Sequence, residues 1–309
     1  MNDRQLRYLL TVAETRNISA AAKQLYISQP SLSAMIQAAE KQLGVRLFDR
    51  TTNPLSLTDA GECYMDAARQ ILAIERDLEK RLQEIEASAN VAVNIGCTSA
   101  SSTLLMSYLL PKFAKVFPNV KVQVMENHVP YLEKYLKTGE ADIICTPARY
   151  EEDRFERRVL IREEVVLLAP EHFEPEGEAL PSDGLFPCMD YEQLNGKPFA
   201  LMKTGHMTRE FQNAMITQTQ ILPKVILETE RWETCVSMVE SGMAFTILPY
   251  SPLRKELDKH LKIFSFPVPI YREVSLYWRK NSVLPRITKE FIELADREIH
   301  SLMEEPDGQ

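Results

Sequence analysis

The sequence lacks any apolar run long enough to cross a membrane. Its longest runs are Val165–Ala169 and, with one Thr inside, Ala244–Leu248, and both are far shorter than the roughly 20 residues that a spanning helix needs. The N-terminal segment MNDRQLRYLL is charged at once and has no long apolar stretch or small-residue cleavage site. We therefore expect a protein that has no membrane domain and stays in the cytoplasm.

Common catalytic and nucleotide-binding motifs are also missing. The chain contains no G-x-S-x-G, no G-x-G-x-x-G and no Walker loop, and none of its five histidines stands in H-E-x-x-H. We expect neither enzyme activity nor a bound cofactor.

Cysteine is scarce, and its positions exclude a disulfide framework or a zinc finger. The five residues are odd in number, far apart and never in a C-x-x-C pair. This pattern favours a reducing compartment. The cysteines are Cys63, Cys97, Cys145, Cys188 and Cys235.

Excess positive charge, the usual mark of a nucleic-acid binder, is absent from most of the chain. The 309 residues carry a net charge of -8, with 45% hydrophobic and 26% charged residues, which is typical of a globular protein of two or three domains. Residues 1–60 nevertheless hold seven Lys and Arg against five Asp and Glu, whereas the remainder holds 29 against 39. Any DNA contact is therefore expected from the N-terminal part.

Three short helices are predicted before residue 45. The apolar residues of the first follow helical spacing: Leu6, Leu9, Leu10 and Ala13. Ser19 is placed to cap a second helix, and Ser28 a third that has Pro30 in its first turn and ends at Gly44. This order predicts a helix-turn-helix.

The predicted third helix has one apolar and one polar face. The apolar stripe is Leu32, Ile36, Ala39 and Leu43, and the opposite face presents Gln29, Ser33 and Gln37. The following segment RLFDRTTNPLSLT predicts a β-hairpin, or wing, with Arg50 and Thr51 near its tip.

A single long helix is predicted from Asp59 to Ala87. Tyr64, Ile71, Leu78 and Ile85 repeat every seven residues, and Ile74 and Leu82 flank them. The stripe can pack on its own domain or pair with a second helix. Because few neighbouring segments are available to cover it, we favour pairing between two chains.

Beyond residue 90, predicted strands alternate with helices, as in parallel α/β sheets. The strands are VAVNIG, NVKVQVM and ADIIC in a first round and FALM, KVILE and AFTIL in a second. Helices are expected near 102–116, 130–138, 207–218 and 231–240. Since Pro118 and Gly139 are echoed by Pro223 and Gly242 at similar spacing, two similar lobes are predicted.

Together these motifs resemble one family. The segment ISAAAKQLYISQPSLSAMIQAAEKQLGVRLFDRTTNPLSLTDAG resembles the winged helix-turn-helix of the LysR-type transcriptional regulators, and LLPKFAKVFPNVKVQV, LKTGEADI and VESGMAFTILP are similar to that family's effector domain. The resemblance implies an α+β multidomain protein that binds DNA under the control of a small-molecule effector. It implies a winged helix-turn-helix at 1–58, a linker and dimerisation helix at 59–89, and an effector domain of periplasmic-binding-protein type at 90–309, with lobe I at 90–164 and 268–309 and lobe II at 165–267.

The same resemblance implies which residues contact DNA. The N-terminal residues of a recognition helix reach base edges in the major groove, and a wing reaches the backbone or a minor groove. The expected contacts are Ser19, Gln29, Pro30, Ser31, Ser33, Ala34, Gln37, Arg50 and Thr51. Ala34 and Ala39 stand where the family commonly has Arg and Leu, so we expect a weaker or differently placed sequence preference.

An effector site is expected at the carboxyl ends of the strands, where ligands of open α/β sheets bind. The expected residues are Thr98, Ser99, Ala100, Ser101, Ser102, Asn127, His128, Thr146 and Pro147 in the first lobe, and Thr204, His206 and Trp232 in the second. The hydroxyl-rich first loop suits a small anion, although its hydroxyls also suit ordinary helix capping.

The expected partners are double-stranded promoter DNA, a small-molecule effector and further copies of the chain, as a dimer or a dimer of dimers, with RNA polymerase added if the protein is an activator. Two other functions were weighed. A solute-binding protein has no use for the first 88 residues, and a thiol redox sensor would rely on Cys97, Cys145, Cys188 or Cys235. The acidic segment 171–192 is expected to be a solvated loop that either covers one side of the cleft, alters subunit contacts, or does neither.

Overall fold

The computed structural model describes residues 3–85, 92–150, 153–256, 261–280 and 282–304. Two compact units are present: residues 1–88 together with 137–140, and residues 89–136 together with 141–309. The predicted end of the long helix at Ala87 and the predicted start of the effector domain at 90 lie outside the described residues.

The first unit contains four helices and a two-stranded sheet. The elements are α1 (Asp3–Thr15), α2 (Ile18–Gln24), α3 (Gln29–Leu43), β1 (Phe48–Asp49), β2 (Ser56–Leu57) and α4 (Asp59–Ile85). The strands β1 and β2 pair antiparallel, so the predicted wing is confirmed.

Local sequence explains where α3 begins and ends. The Ser28 hydroxyl accepts a hydrogen bond from the Ser31 amide at 3.3 Å, Pro30 lies in the first turn, and Gly44 follows the helix with a positive φ of 73°. The predicted cap of α2 was wrong. Asn17 is extended, and its Oδ1 accepts from the Ala20 amide at 3.0 Å, so Ser19 lies inside the helix.

The core of the first unit lies between α1, α2, α3 and the start of α4. It contains Leu6, Leu9, Leu10, Val12, Ala21, Ala22, Leu32, Ile36, Ala39, Leu47, Phe48, Met65, Ala68 and Leu72. The apolar stripe of α3 ends earlier than predicted, because Leu43 is the last helical residue before Gly44 and is 41% exposed. Ala39 fills its core position at 2% exposure.

Helix α4 has a buried and an exposed stretch. Met65, Ala68 and Leu72 pack into the core of the first unit. Four of the predicted stripe residues are exposed: Ile71, Ile74, Leu78 and Leu82. A stripe of this length has no cover from the described part of its own unit.

The second unit alternates strands and helices, as predicted. Its strands are β3 (Ala92–Cys97), β4 (Lys121–Glu126), β5 (Ile143–Thr146), β6 (Phe155–Pro170), β7 (Pro198–Met202), β8 (Lys224–Thr229), β9 (Thr246–Pro249), β10 (Leu261–Phe264) and β11 (Tyr271–Arg279). Its helices are α5 (Ser99–Leu104), α6 (Leu110–Val116), α7 (Val129–Thr138), α8 (Met207–Thr219), α9 (Trp232–Glu240) and α10 (Arg286–Glu304), and the last two residues of α7 belong to the first unit. A π-helical turn at Leu105–Leu109 joins α5 to α6, and 3₁₀ turns lie at Tyr191–Leu194 and Ser251–Glu256.

Two similar parallel arrangements confirm the predicted internal repeat. In the first, β3 pairs in parallel with β4 and β5. In the second, β7 pairs in parallel with β8, and Phe199 forms a parallel bridge to Phe245 just before β9. Each arrangement has its own core, the first around Ile95, Phe113 and Leu276 and the second around Leu167 and Phe199.

The long strand β6 belongs to both arrangements. Its residues 155–164 pair antiparallel with β11, and its residues 165–170 pair with β9 and β10. The carboxyl ends of the parallel strands β3, β4, β7 and β8 each precede a helix, which is where a cleft forms in such folds.

Candidate DNA-binding surface and effector cavity

The polar face of α3 is available to a partner. Leu32, Ile36 and Ala39 bury the opposite face, while most of the predicted contacts are exposed. The exposed ones are Gln29, Pro30, Ser31, Ala34 and Gln37; Ser33 is half-buried, and Ser19 is exposed on α2. The structure thus brings the predicted α3 residues onto one helix surface, which begins at the capped N-terminus.

The two predicted wing residues are exposed, and each makes hydrogen bonds within the first unit. An Arg50 guanidinium nitrogen lies 3.1 Å from Glu40 Oε2, and both the Thr51 amide and its hydroxyl donate to Asp49 Oδ1. These two hydrogen bonds lower the pKa of the Asp49 carboxyl. Arg50 is therefore positioned by α3 and keeps its remaining N–H donors.

Sequence reasoning missed Glu40, which ties the wing to α3. Its Oε1 accepts hydrogen bonds from the Leu47 amide at 2.9 Å and the Phe48 amide at 3.2 Å, and its Oε2 pairs with Arg50. The sequence did contain a signal for this role, since Glu40 in the helix is followed by the apolar pair Leu47 and Phe48 and then by Arg50. A shallow groove beside it collects the cationic residues Lys41, Arg46 and Arg50.

In the second unit, four helix starts surround a cavity of about 280 Å³. Eight of the twelve predicted effector residues line it: Thr98, Ser99, Ala100, Asn127, His128, Pro147, His206 and Trp232. Most of them lie at the beginnings of α5, α7, α8 and α9, where main-chain N–H groups have no partner within the helix. These ends favour negative charge.

The other four predicted residues do not line the cavity. Ser101 and Ser102 follow inside α5, where successive side chains point in different directions, and both are buried. Thr146 is buried and its hydroxyl accepts from the Ala148 amide at 3.1 Å. Thr204 lies in an exposed turn, and its neighbour Gly205 lines the cavity instead.

Nine lining residues were missed from the sequence: Glu126, Val129, Met202, Gly205, Met207, Thr208, Glu230, Arg231 and Arg272. Most are neighbours of predicted positions at strand ends or helix starts. Arg272 is different, because it lies on β11 and no local motif points to it.

Arg272 forms a buried ion pair at this end of the second unit. Its Nε lies 2.6 Å from Glu163 Oε1, and both side chains are almost fully buried. Glu163 Oε2 also accepts from the Ser251 amide at 2.7 Å. The pair joins β6 to β11 where β6 changes partners.

Two histidines meet edge to face in the cavity wall. The rings of His128 and His206 are 5.0 Å apart between centroids, at an angle of 83°. Burial, followed by the charge of His128, lowers the pKa of His206 from its ordinary value of 6.5. Burial therefore favours the neutral form of His206.

The acidic segment 171–192 is hydrogen-bonded to β6 and to the residue that follows β10, and it contributes no lining residue to the cavity. The Leu185 amide donates to Glu164 Oε2 at 2.8 Å, and the Phe186 amide donates to Ser265 Oγ at 2.8 Å. Many of its side chains are exposed, as expected, but its middle is hydrogen-bonded to Glu164 on β6 and to Ser265 after β10.

The cysteines do not have the character of a redox site. Cys97, Cys145, Cys188 and Cys235 are buried. Burial raises the pKa of Cys97 to about 12 and that of Cys235 to about 11, and it also raises the pKa of the other two. Since the thiolate is the reactive form, these environments argue against the redox alternative.

Among the described residues, no helix combines the length and apolar character of a membrane span. The same residues contain no cluster of three or more His, Cys, Asp or Glu side chains with metal-binding geometry.

Sequence models of two domains match this chain. The bacterial regulatory helix-turn-helix protein of the lysR family matches residues 4–62, and the LysR substrate binding domain matches residues 88–299. The chain belongs to the LysR family of transcriptional regulators. It is a DNA-binding regulator with an effector-binding domain, as predicted.

Known relatives and solved structures resemble this chain over most of its length. An uncharacterized HTH-type regulator, YcgK of Bacillus subtilis, is 27% identical over 99% of this chain and 97% of its own. The probable regulator LrrA of Synechococcus elongatus is 31% identical over 89% of each chain. The structure of a full-length OxyR variant from Pseudomonas aeruginosa is 26% identical, covers 97% of this chain and 95% of its own, and has a TM-score of 0.62.

Proposed function

We propose that this LysR-family regulator recognises promoter DNA through the exposed side of α3 and changes its DNA binding when a small molecule occupies the cavity of the second unit. The observation that carries the proposal is the cavity itself: four helix starts and eight predicted residues converge on one space within the domain that matches the LysR substrate binding domain. We assign the DNA-binding domain to 1–58, the linker helix to 59–89 and the effector domain to 90–309, with its lobes as predicted.

The proposed DNA contacts follow from exposure and position on α3. Gln29 and Ser33 lie in the N-terminal half of the helix, which reaches base edges in helix-turn-helix proteins, and Gln37 lies one turn farther. Gln side chains pair with adenine edges. Arg50 and Thr51 contact the phosphate backbone beside the groove.

A selection experiment tests the DNA part of the proposal. Random duplexes are enriched by binding to the full-length protein, and the preferred sequence is compared with that of the Ala34→Arg variant. An arginine that reaches guanine discriminates by about 1–3 kcal/mol, so a new G·C preference is expected at one position of each half-site. An unchanged sequence and affinity would show that position 34 does not face DNA.

We also propose that the chain acts as a dimer or a dimer of dimers through α4. Ile74 is 68% exposed and Leu78 is 56% exposed, and a stripe of exposed large apolar residues is typical of an interaction surface. Two-fold pairing implies an inverted-repeat binding site. Sedimentation of Leu78→Glu is expected to give monomer, whereas Lys80→Glu, on the opposite side of the same helix, is expected to retain the oligomer.

The effector part is tested by a thermal-shift screen with small carboxylates, amino acids, aromatic acids, sugars and phosphates. A ligand at about 100 times its Kd adds about 2.7 kcal/mol of stability. A stabilising compound is expected to lose its effect in Ser99→Ala, which changes a lining residue, and to keep it in Thr204→Ala, which does not. Equal loss in both variants would contradict the assignment of the cavity.

We place the protein in the cytoplasm. If it is an activator, RNA polymerase is a further partner.

A further inference from the structure

Two buried donors at the cavity have no acceptor. Trp232 is 6% exposed and Arg272 is 3% exposed, and among the described residues neither Trp232 Nε1 nor Arg272 Nη2 has a hydrogen-bond partner. Buried donors without partners are costly in a folded protein. Both residues line the cavity, so a ligand there can bring acceptor oxygens toward these donors.

Glu126 places a negative charge in the same cavity wall. It is the last residue of β4, and Ser102 Oγ donates to its Oε1 at 2.5 Å. One neutral hydroxyl satisfies only part of a carboxylate, which has about four acceptor positions. In the part of the chain that the structure describes, Glu126 makes no ion pair with a Lys, Arg or His side chain.

The other charged residues of the wall already have partners. Arg272 pairs with Glu163 at 2.6 Å, Glu230 pairs with Lys203 at 3.2 Å, and Arg231 lies 3.8 Å from Glu233. Glu126 is thus the lining carboxylate whose charge is left for a ligand, within the described residues.

Glu126 also lies beside the start of the helical stretch that runs from α5 through the π-helical turn into α6, residues 99–116. In the parallel pairing of β3 with β4, Cys97 is the register partner of Glu126, and this stretch begins two residues after Cys97. The Asn127 amide donates to the Cys97 carbonyl at 3.0 Å, which holds the two strand ends together. An acceptor for a cation and the N–H groups of a helix start are therefore neighbours.

We infer that the cavity binds a zwitterion, specifically a free α-amino acid. The inference rests on the proposed role of the cavity as the effector site. The ligand carboxylate accepts from the unpartnered donors of Trp232 and Arg272 and from the α5 start, while its ammonium group binds Glu126. The side chain of the amino acid lies against Val129, Met202 and other apolar lining residues.

Trp232 provides a direct measurement of binding. The chain contains two tryptophans, so Trp278→Phe leaves Trp232 as the single tryptophan fluorophore, in the cavity wall. The proteinogenic amino acids other than tryptophan and proline are titrated into this full-length variant, each beside the carboxylic acid in which hydrogen replaces the ammonium group. The same titrations are repeated with Glu126→Gln, which keeps an acceptor for Ser102 but removes the charge.

We expect at least one amino acid to change Trp232 fluorescence and its matched acid to bind about 10-fold to 100-fold more weakly, as for a lost hydrogen bond to a charged group. Glu126→Gln is expected to abolish this ratio. Glu210→Gln, the same change on α8 at a residue that does not line the cavity, is expected to preserve it.

Four results would overturn the inference. Equal affinity for an amino acid and its matched acid, or a ratio that survives in Glu126→Gln, would remove the ammonium contact while leaving an effector cavity in place. Binding of only sugars, phosphates or aromatic acids in the thermal-shift screen would reject the amino acid but retain the proposed function. If no compound of any class binds, both the inference and the effector part of the proposed function fail.

Discussion

The exposed side of α3 that we propose for DNA comes from one short segment, whereas the cavity wall is assembled from residues as distant in sequence as Thr98 and Arg272. On α3, buried Leu32 and Ile36 leave the polar side chains outside, where a large polyanion can reach them. In the second unit, polar groups face inward from strand ends and helix starts. The exposed surface of α3 thus depends on a helix with defined caps at both ends, whereas the cavity depends on strand pairing between residues far apart in sequence.

The largest expected effect is on the assembled site. In Arg272→Met, Glu163 remains buried without its cation, and the unfolding free energy of the second unit is expected to fall by about 3–5 kcal/mol. Denaturation followed by tryptophan fluorescence reports on this unit, which contains both tryptophans. The double variant Glu163→Gln with Arg272→Met removes the buried charge and is expected to recover part of the loss. No loss in the single variant would show that the pair does not hold the two strands.

A smaller loss of stability is expected where segment 171–192 packs against Glu164 and Ser265. A Cβ at Gly184 would lie 2.3 Å from the Ser265 side chain and 2.6 Å from Glu164 Oε1. Gly184→Ala is therefore expected to destabilise the second unit by about 1–3 kcal/mol, by overpacking. Asp183→Ala, at the exposed neighbouring position, serves as the control in the same denaturation. Equal stabilities of the two variants would mean that the segment is only a solvated loop.

In the first unit, loss of the α3 cap is expected to lower the unfolding free energy by about 1 kcal/mol. Ser28→Ala removes the acceptor of the Ser31 amide, and hydrogen exchange at the start of α3 is expected to accelerate. DNA binding weakens because the contact residues follow directly. Ser31→Ala removes the second hydroxyl of the same pair but leaves the cap. If both variants exchange alike, the cap does not order the helix start.

The smallest expected effect is a pH dependence of the stability of the second unit, through His206 in the cavity wall. Because the folded protein lowers the pKa of His206, the unfolded chain binds this proton more readily. The stabilising contribution is complete above the unfolded value of about 6.5 and decreases as pH falls below it. In His206→Gln, the thermal midpoint of the second unit is expected to decline less between about pH 7 and about pH 5.5. An identical decline in the two proteins would remove His206 from the explanation.

The outcome of sequence reasoning followed the same division between local and distant structure. Ser28, Pro30 and Gly44 were predicted correctly because caps depend on adjacent residues. Ser19 was misplaced because Asn17 offers a competing cap two residues earlier. Position after a strand predicted His128 and Trp232, but Thr204 turned outward in its loop. Arg272 was not predictable, since its place at the cavity depends on the antiparallel pairing of β11 with β6.

The most direct test of the account is whether the two sites can be disabled separately. DNA affinity is measured by fluorescence anisotropy on the selected duplex, and ligand affinity by the thermal shift of the stabilising compound, for wild type, Gln29→Ala and Ser99→Ala in the full-length protein. We predict that Gln29→Ala weakens DNA binding and keeps the thermal shift, whereas Ser99→Ala loses the shift and still binds the duplex without ligand. Loss of both activities in either variant, or of neither in both, would contradict it.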